Sequence, residues 1–202
     1  MPRVSRSEAQ HNHAAIGRAA AALLRQQGLR VSLAEIMAAA GLTPGGFYGH
    51  FASKDELLAS GCSVAFEESA QRWERRVAAA DAPAALAALI DAYLAPEGPV
   101  VSGCPIASLA SDVAREPEQR PVRDAFAAGL EKLLAILAAQ QSAAEAAPRA
   151  AALLQLSAMV GAVILARATR GSEISGELLG VVRRGLNTPP RRKRTPRRRQ
   201  VR

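Results

Sequence analysis

Apolar residues recur along this chain at the three- and four-residue spacing of helices, and no segment alternates apolar with polar for long enough to make a strand. Ile16, Ala20, Leu23 and Leu24 form the first stripe, and Gly28 supplies its C-terminal stop. Ser32-Leu33-Ala34-Glu35 has the form of a capping box, serine taking the N3 amide while glutamate reaches back to the serine amide. It opens a short helix with Leu33, Ile36, Met37 and Ala40 on one face. Gly41 ends that helix, Leu42 packs inward, Thr43 offers an N-cap and Pro44 falls at a first helical position, where its missing donor does no harm. A second box, Ser53-Lys54-Asp55-Glu56, opens a longer helix through Leu57, Leu58, Cys62, Phe66, Ser69 and Trp73. The predicted order is long helix, short helix, tight turn, very short helix, long helix.

Beyond Asp81-Ala82-Pro83 the helices become longer and more apolar. One carries Leu86, Leu89, Ile90, Tyr93 and Leu94 and stops at Pro96-Glu97-Gly98-Pro99; the next begins near Gly103-Cys104-Pro105 and runs through Ile106, Leu109 and Val113 to Glu116-Pro117. A third uses Val122, Phe126, Leu130, Leu133 and Leu137. The last two start near Pro148 and Ser172, carrying Leu153, Leu156, Val160 and Ile164, then Leu178, Val182 and Leu186. The expected fold class is all-α, with a head over residues 1–60, a second helical domain over 61–187 and a disordered basic tail over 188–202.

Composition agrees. Apolar residues make up 49% of the 202, which favours a packed core, and the abundant alanine favours helix. The net charge of +8 changes the picture only once it is located: residues 188–202 hold Arg191, Arg192, Lys193, Arg194, Arg197, Arg198, Arg199 and Arg202 and no acid, so the rest of the chain is neutral. A basic balance therefore argues for nucleic acid only at the tail, as a non-specific contact or a solubilising end. Two cysteines are too few for a disulfide scaffold. The polar start, Met1 to His13, lacks a signal-peptide core. The longest apolar run, Ala158 to Ala166, falls well short of the roughly 20 residues of a membrane span, so a cytoplasmic protein without a membrane partner is expected.

Residues 32–60 have the logic of a helix-turn-helix: a supporting helix and a tight turn at Gly41 present a second helix, beginning at Thr43, to the major groove. Gly45 and Gly46 let the backbone approach bases or phosphates closely. Phe47 and Phe51, four apart, face the core, whereas Tyr48 and His50 fall on the other side, able to donate to phosphate oxygens. Lys54 adds charge beside helical amides that also favour anions. Carried by Ala34-Glu35-Ile36, Ala40-Gly41-Leu42-Thr43, Phe47-Tyr48-Gly49-His50-Phe51 and Lys54-Asp55-Glu56-Leu57-Leu58, this segment closely resembles the DNA-binding domain of the TetR/AcrR family of bacterial regulators. The resemblance is specific over residues 10–60 and only architectural beyond. It implies about nine helices, dimerisation through the last two, Tyr48, His50 and Lys54 on phosphates, and Thr43, Pro44, Gly45 and Gly46 at or near base edges. One departure stands out: with two glycines the second helix has few long polar side chains for base readout, which shifts it towards Thr43, backbone or DNA shape. An N-terminal arm with Arg3 and Arg6 is either a further DNA contact or a solvated end.

Other residues carry weaker signals. His11 and His13 have no cysteine or carboxylate cluster to make a metal site, and neither metal nor cofactor is expected. Cys104 sits before Pro105 at a helix N-terminus, where dipole and amides lower a thiol pKa. The Gly103-Cys104-Pro105 segment resembles the sixth-helix start of electrophile- and quinone-responsive repressors in the family, which makes Cys104 either a sensor or a small packing residue. Cys62 is expected to be structural. Trp73, Phe66, Tyr93, Phe126 and Met159 are core residues that could equally line an effector cavity, Trp73 and Tyr93 foremost. With no charge inside an apolar stripe, a hydrophobic or weakly polar effector is expected. Ala158, Gly161, Ala162 and Gly180 allow close helix approach in a homodimer. The resulting expectation is a repressor released from operator DNA by a small-molecule or electrophile effector. An enzyme is disfavoured because the chain has no phosphate loop, nucleophile elbow or metal spacing. A protein binding nucleic acid through its tail alone would leave the capping boxes unexplained.

Overall fold

The computed structural model describes residues 6–95, 103–142 and 145–188. Arg3, the Pro96-Glu97-Gly98-Pro99 stop and the arginine-rich end from residue 189 onward lie outside the described residues. Among the described residues eight α-helices follow in order: α1 (Arg6–Gln27), α2 (Leu33–Ala39), α3 (Lys54–Ala78), α4 (Ala85–Tyr93), α5 (Pro105–Val113), α6 (Pro121–Ala138), α7 (Pro148–Ala168) and α8 (Glu173–Asn187). Short 3-10 segments stand at Gly28–Arg30, Pro44–Gly49 and Ala82–Ala84, and the described residues contain no strand. The all-α architecture is as expected. Prolines 44, 105, 121 and 148 each open a helical segment in its first turn, where an amide proton has no intrahelical acceptor.

Helix α3 is the axis of the molecule, packing against α1 on one side and α6 on the other, with α4 and α5 against it further along. Two glycines permit these close crossings. A Cβ on Gly61 would lie 2.7 Å from the Cβ of Ala20 on α1, and one on Gly129 of α6 would lie 2.2 Å from Cγ of Phe66. One apolar cluster runs from Ile16 in the head through Phe66 and Leu109 to Leu179 in α8. The expected boundary after residue 60 falls inside α3, so head and body share a continuous helix.

Helix α7 departs from expectation. Across an 18-residue stretch of its 21 residues the mean hydropathy is 1.8, and the helix is long and apolar enough by length and composition to cross a membrane, although its longest unbroken apolar run is short. The polar residues Gln155 and Ser157 interrupt the run without making the helix polar. One face, with Leu156, Met159 and Val163, is buried against neighbouring helices. The other leaves Leu154 72% and Leu165 52% exposed, beside Ile174 at 50% and Val181 at 52% on α8.

Candidate nucleic-acid interface and internal cavity

The head is built by local chemistry. Ser32 Oγ accepts the Glu35 amide at 3.2 Å and Glu35 Oε2 accepts the Ser32 amide at 2.8 Å, the reciprocal capping box expected for α2. The helix ends in a Schellman motif: Gly41, at φ 73°, donates to the Ala38 carbonyl at 3.0 Å and Leu42 to that of Met37 at 2.9 Å. At the start of α3, Ser53 Oγ accepts the Glu56 amide at 3.1 Å, but Glu56 Oε2 takes the Ala52 amide at 2.7 Å, not that of Ser53. The second expected capping box is thus only half made, its return bond falling one residue earlier.

The segment after Thr43 is a 3-10 helix over Pro44–Gly49 and not an α-helix. Its bonds close over three residues, Gly46 to the Thr43 carbonyl at 3.1 Å and His50 to that of Phe47 at 2.9 Å. Three glycines in six positions leave little propensity to extend it. Thr43 occupies the N-cap position with extended backbone, yet its side chain makes no capping bond. Phe47 and Phe51 are buried, as expected, with their rings stacked at 6.1 Å between centroids. Tyr48 is 78% exposed. Thr43, Pro44, Gly45, Gly46 and Lys54 are exposed and His50 is half-buried.

His13 is legible in the sequence only as a polar residue near the start. In the fold it stacks on Phe51 with centroids 4.3 Å apart, and its Nδ1 donates to the His50 carbonyl at 3.2 Å. It thereby ties α1 to the end of the 3-10 segment. Its spacing from Ile16 and Ala20 on the inner side of α1 is the signal that could have found it. Arg6 is the first residue of α1 and does not belong to a loose arm.

Further along α3, a cavity of about 580 Å³ opens between α3, α4, α5 and α6, lined among others by Trp73, Leu89, Tyr93, Cys104 and Leu133. Trp73, Tyr93 and Cys104 are therefore brought together, with the Trp73 and Tyr93 rings edge-to-face at 6.0 Å. Phe126 and Met159 are not among its lining residues. Phe126 instead packs edge-to-face on Phe66 at 5.3 Å, and Met159 is fully buried in the core. The same wall carries Arg72, Arg75 and Arg76, which by spacing alone look no different from a solvated face. An arginine two or three residues from the apolar stripe of a helix reaches its neighbours' groove through its long stem.

Cys104 is the N-cap of α5, its Sγ accepting the Ala107 amide at 3.5 Å and lying 2.7 Å from the Tyr93 hydroxyl. The expected lowering of its pKa is corrected: burial pushes the thiol up, outweighing the Tyr93 hydroxyl, the Ala107 and Ile106 amides and the Arg167 charge that all favour thiolate. Cys62, buried on the core face of α3, is pushed from 9.0 up to about 12 by burial.

The cavity end of the body is wired to the head. From α5, Ser108 Oγ donates to the Arg25 carbonyl at 2.8 Å and Asp112 Oδ2 accepts the Leu29 amide at 2.9 Å. Arg120, the N-cap of α6, pairs with Asp55 at the start of α3 at 3.0 Å.

Residues 16–60 match the family model described as bacterial regulatory proteins, tetR family. No curated protein matches the chain by sequence. Among solved structures the chain is similar to E. coli NemR in its reduced form, with 20% identity, a TM-score of 0.71 and coverage of 89% of this chain and 98% of that one. A TetR transcriptional regulator from Chloroflexus aurantiacus J-10-FL shares 25% identity at a TM-score of 0.69, covering 89% and 94%. A TetR-family regulator from Cytophaga hutchinsonii shares 18% identity at 0.70, covering 92% and 96%. Head and fold together are those of the helix-turn-helix regulators that the chain resembles. Residues 16–60 thus carry a head of the tetR regulatory family, on a fold that the chain shares with solved TetR-family regulators.

Proposed function

We propose that the protein is a homodimeric, ligand-responsive repressor acting on operator DNA in the cytoplasm. In this reading Tyr48, His50 and Lys54 hold phosphates while Thr43, Pro44, Gly45 and Gly46 lie against base edges. The exposed Leu154 and Leu165 of α7, with Ile174 and Val181 of α8, form the dimer seam, so α7 is an interface helix and not a span. The domains are then a DNA-binding head to residue 60, an effector-binding and dimerisation body over 61–187 and a basic tail.

The observation that carries the reading is that one helix serves both ends. Helix α3 begins at the exposed Lys54 and lines the cavity with Arg72 and Trp73, about 27 Å further along at 1.5 Å per residue. An effector that fits the cavity better in the DNA-free arrangement reorients α3 and α5, and with them the two heads. Selection of bound DNA fragments tests this: symmetric half-sites are expected, and a variant combining Tyr48→Phe, His50→Ala and Lys54→Ala should lose the selected site while keeping its fold. Undiminished binding by the folded triple variant would refute the reading.

An electrophile effector is supported by Cys104, a buried thiol that borders the cavity and already has a phenol and two amides to receive its charge. E. coli NemR, similar in fold, is described as a reduced form. Diamide should release wild-type protein from its operator and leave Cys104→Ser bound; equal release of both excludes the thiol.

A further inference from the structure

The effector cavity has a mixed lining. Trp73, Leu89, Tyr93 and Leu133 give it apolar and aromatic surface, whereas Arg72, Arg75 and Arg76 from the last turns of α3 bring three positive charges, and among the described residues no carboxylate lines the cavity. The most inward of the three, Arg72, is half-buried. Its guanidinium donates to Ser69 Oγ at 2.7 Å, and that hydroxyl sends its own proton to the Ala65 carbonyl at 3.0 Å. Ser69 is therefore a neutral acceptor and supplies Arg72 with no counter-charge. The adjacent carboxylate, Glu68, is committed to Arg25 at 2.7 Å. Among the described residues no carboxylate lies within ion-pair reach of Arg72, Arg75 or Arg76. Burial first, then the neighbouring Arg25 charge, weakens the Arg72 hold on its proton relative to a free guanidinium, and the Glu68 charge only partly opposes them. A cation drawn out of water without a counter-charge is costly, and a guanidinium fork matches a carboxylate in two parallel hydrogen bonds.

We propose that this cavity takes a small amphipathic anion, a carboxylate on an apolar body, with the headgroup on the Arg72 fork and the body against Trp73, Leu89 and Leu133. Arg75 and Arg76, both exposed, draw the anion to the mouth. The inference rests on reading the cavity as the effector site and differs from the hydrophobic or weakly polar effector that the sequence suggested by giving the ligand a charged headgroup.

Trp73 is the only tryptophan of the chain, so its emission reports occupancy of this cavity directly. Decanoate and 2-naphthoate are titrated beside decan-1-ol and 2-naphthylmethanol, with calorimetry as a second readout and fluorescence anisotropy of operator DNA as a third. At least one acid should bind tenfold or more tightly than its alcohol. Arg72→Gln should erase that preference without weakening the alcohol, and Arg72→Lys should recover part of it. Should Arg72→Gln melt below working temperature, Arg76→Gln, at an exposed position, should narrow the preference two- to threefold. Equal binding of acid and alcohol by the wild type, or no binding by either acid, overturns the anion site. An acid that binds with the expected preference yet leaves operator affinity unchanged overturns the effector reading and leaves the anion site standing.

Discussion

Replacing Gly28 by alanine separates two costs that usually arrive together. Gly28 ends α1 at φ 70°, and Gly41 ends α2 at φ 73°, so a side chain at either position meets nearly the same backbone strain, about 1–2 kcal/mol. Around Gly41 an added Cβ meets nothing within 4 Å, whereas at Gly28 it would lie 2.2 Å from Asp112 Oδ2. The carboxylate is the far end of a side chain and swings aside, which breaks its 2.9 Å bond to the Leu29 amide and parts α1 from α5. A hydrogen bond to a charged acceptor contributes about 1.5–3 kcal/mol, and the lower end applies because Asp112 is 23% exposed. Gly28→Ala should therefore cost about 3 kcal/mol and Gly41→Ala about 1.5 kcal/mol, or roughly 9 °C and 4 °C in Tm for a protein of this size. Urea unfolding and thermal melts of both variants, and of each combined with Asp112→Ala, measure the difference. In the Asp112→Ala background the extra cost at Gly28 should vanish. Equal destabilisation by the two glycine substitutions in the wild-type background would refute the Asp112 link.

Three further outcomes are expected. Lys54→Ala should reduce the slope of log affinity for operator against log salt by about 0.9 for each phosphate that the ammonium no longer neutralises, close to 1.8 for a dimer, which a salt titration of DNA binding measures. Gly129→Ala, which places a Cβ 2.2 Å from Cγ of Phe66, should destabilise by about 1–3 kcal/mol through overpacking of α6 on α3, and Phe66→Leu should relieve part of that in a double-variant melt. Raising pH should also destabilise the protein: Cys62 keeps its proton up to about 12 in the fold, while the unfolded thiol loses it near 9.0, so the native state binds more protons in between. Stability contributed by this group is whole below about 9 and falls with pH towards 12, by up to about 1.4 kcal/mol per unit; Cys62→Ala should flatten the fall in alkaline melts.

What the sequence made legible follows from how local each signal is. The Ser32–Glu35 box, the prolines at positions 44, 105, 121 and 148, and the glycine stops at 28 and 41 act within four residues, and each stands where the pattern put it. The 3-10 geometry of Pro44–Gly49 is not legible, because an N-cap and a proline start an α-helix equally well and only the glycine content argues otherwise. Around the cavity, Trp73 and Tyr93 announce themselves by type and Cys104 by its place before a proline. The arginines at 72, 75 and 76 do not, since solvated and cavity-lining arginines share the same helical spacing. The thiol of Cys104 misleads for a related reason: helix amides are visible in a sequence, whereas the depth of burial that outweighs them is set by helices distant along the chain.

The glycines of the 3-10 segment leave its outer surface free to take larger side chains. Gly45, Gly46 and Gly49 all keep negative φ, and a Cβ on any of them meets nothing within 4 Å. Arginine, asparagine or glutamine placed there would meet no steric obstacle to reaching base edges. In the proposed operator contact this surface is thus close to a blank plate, onto which side chains can be added without disturbing the Phe47–Phe51 bed beneath it.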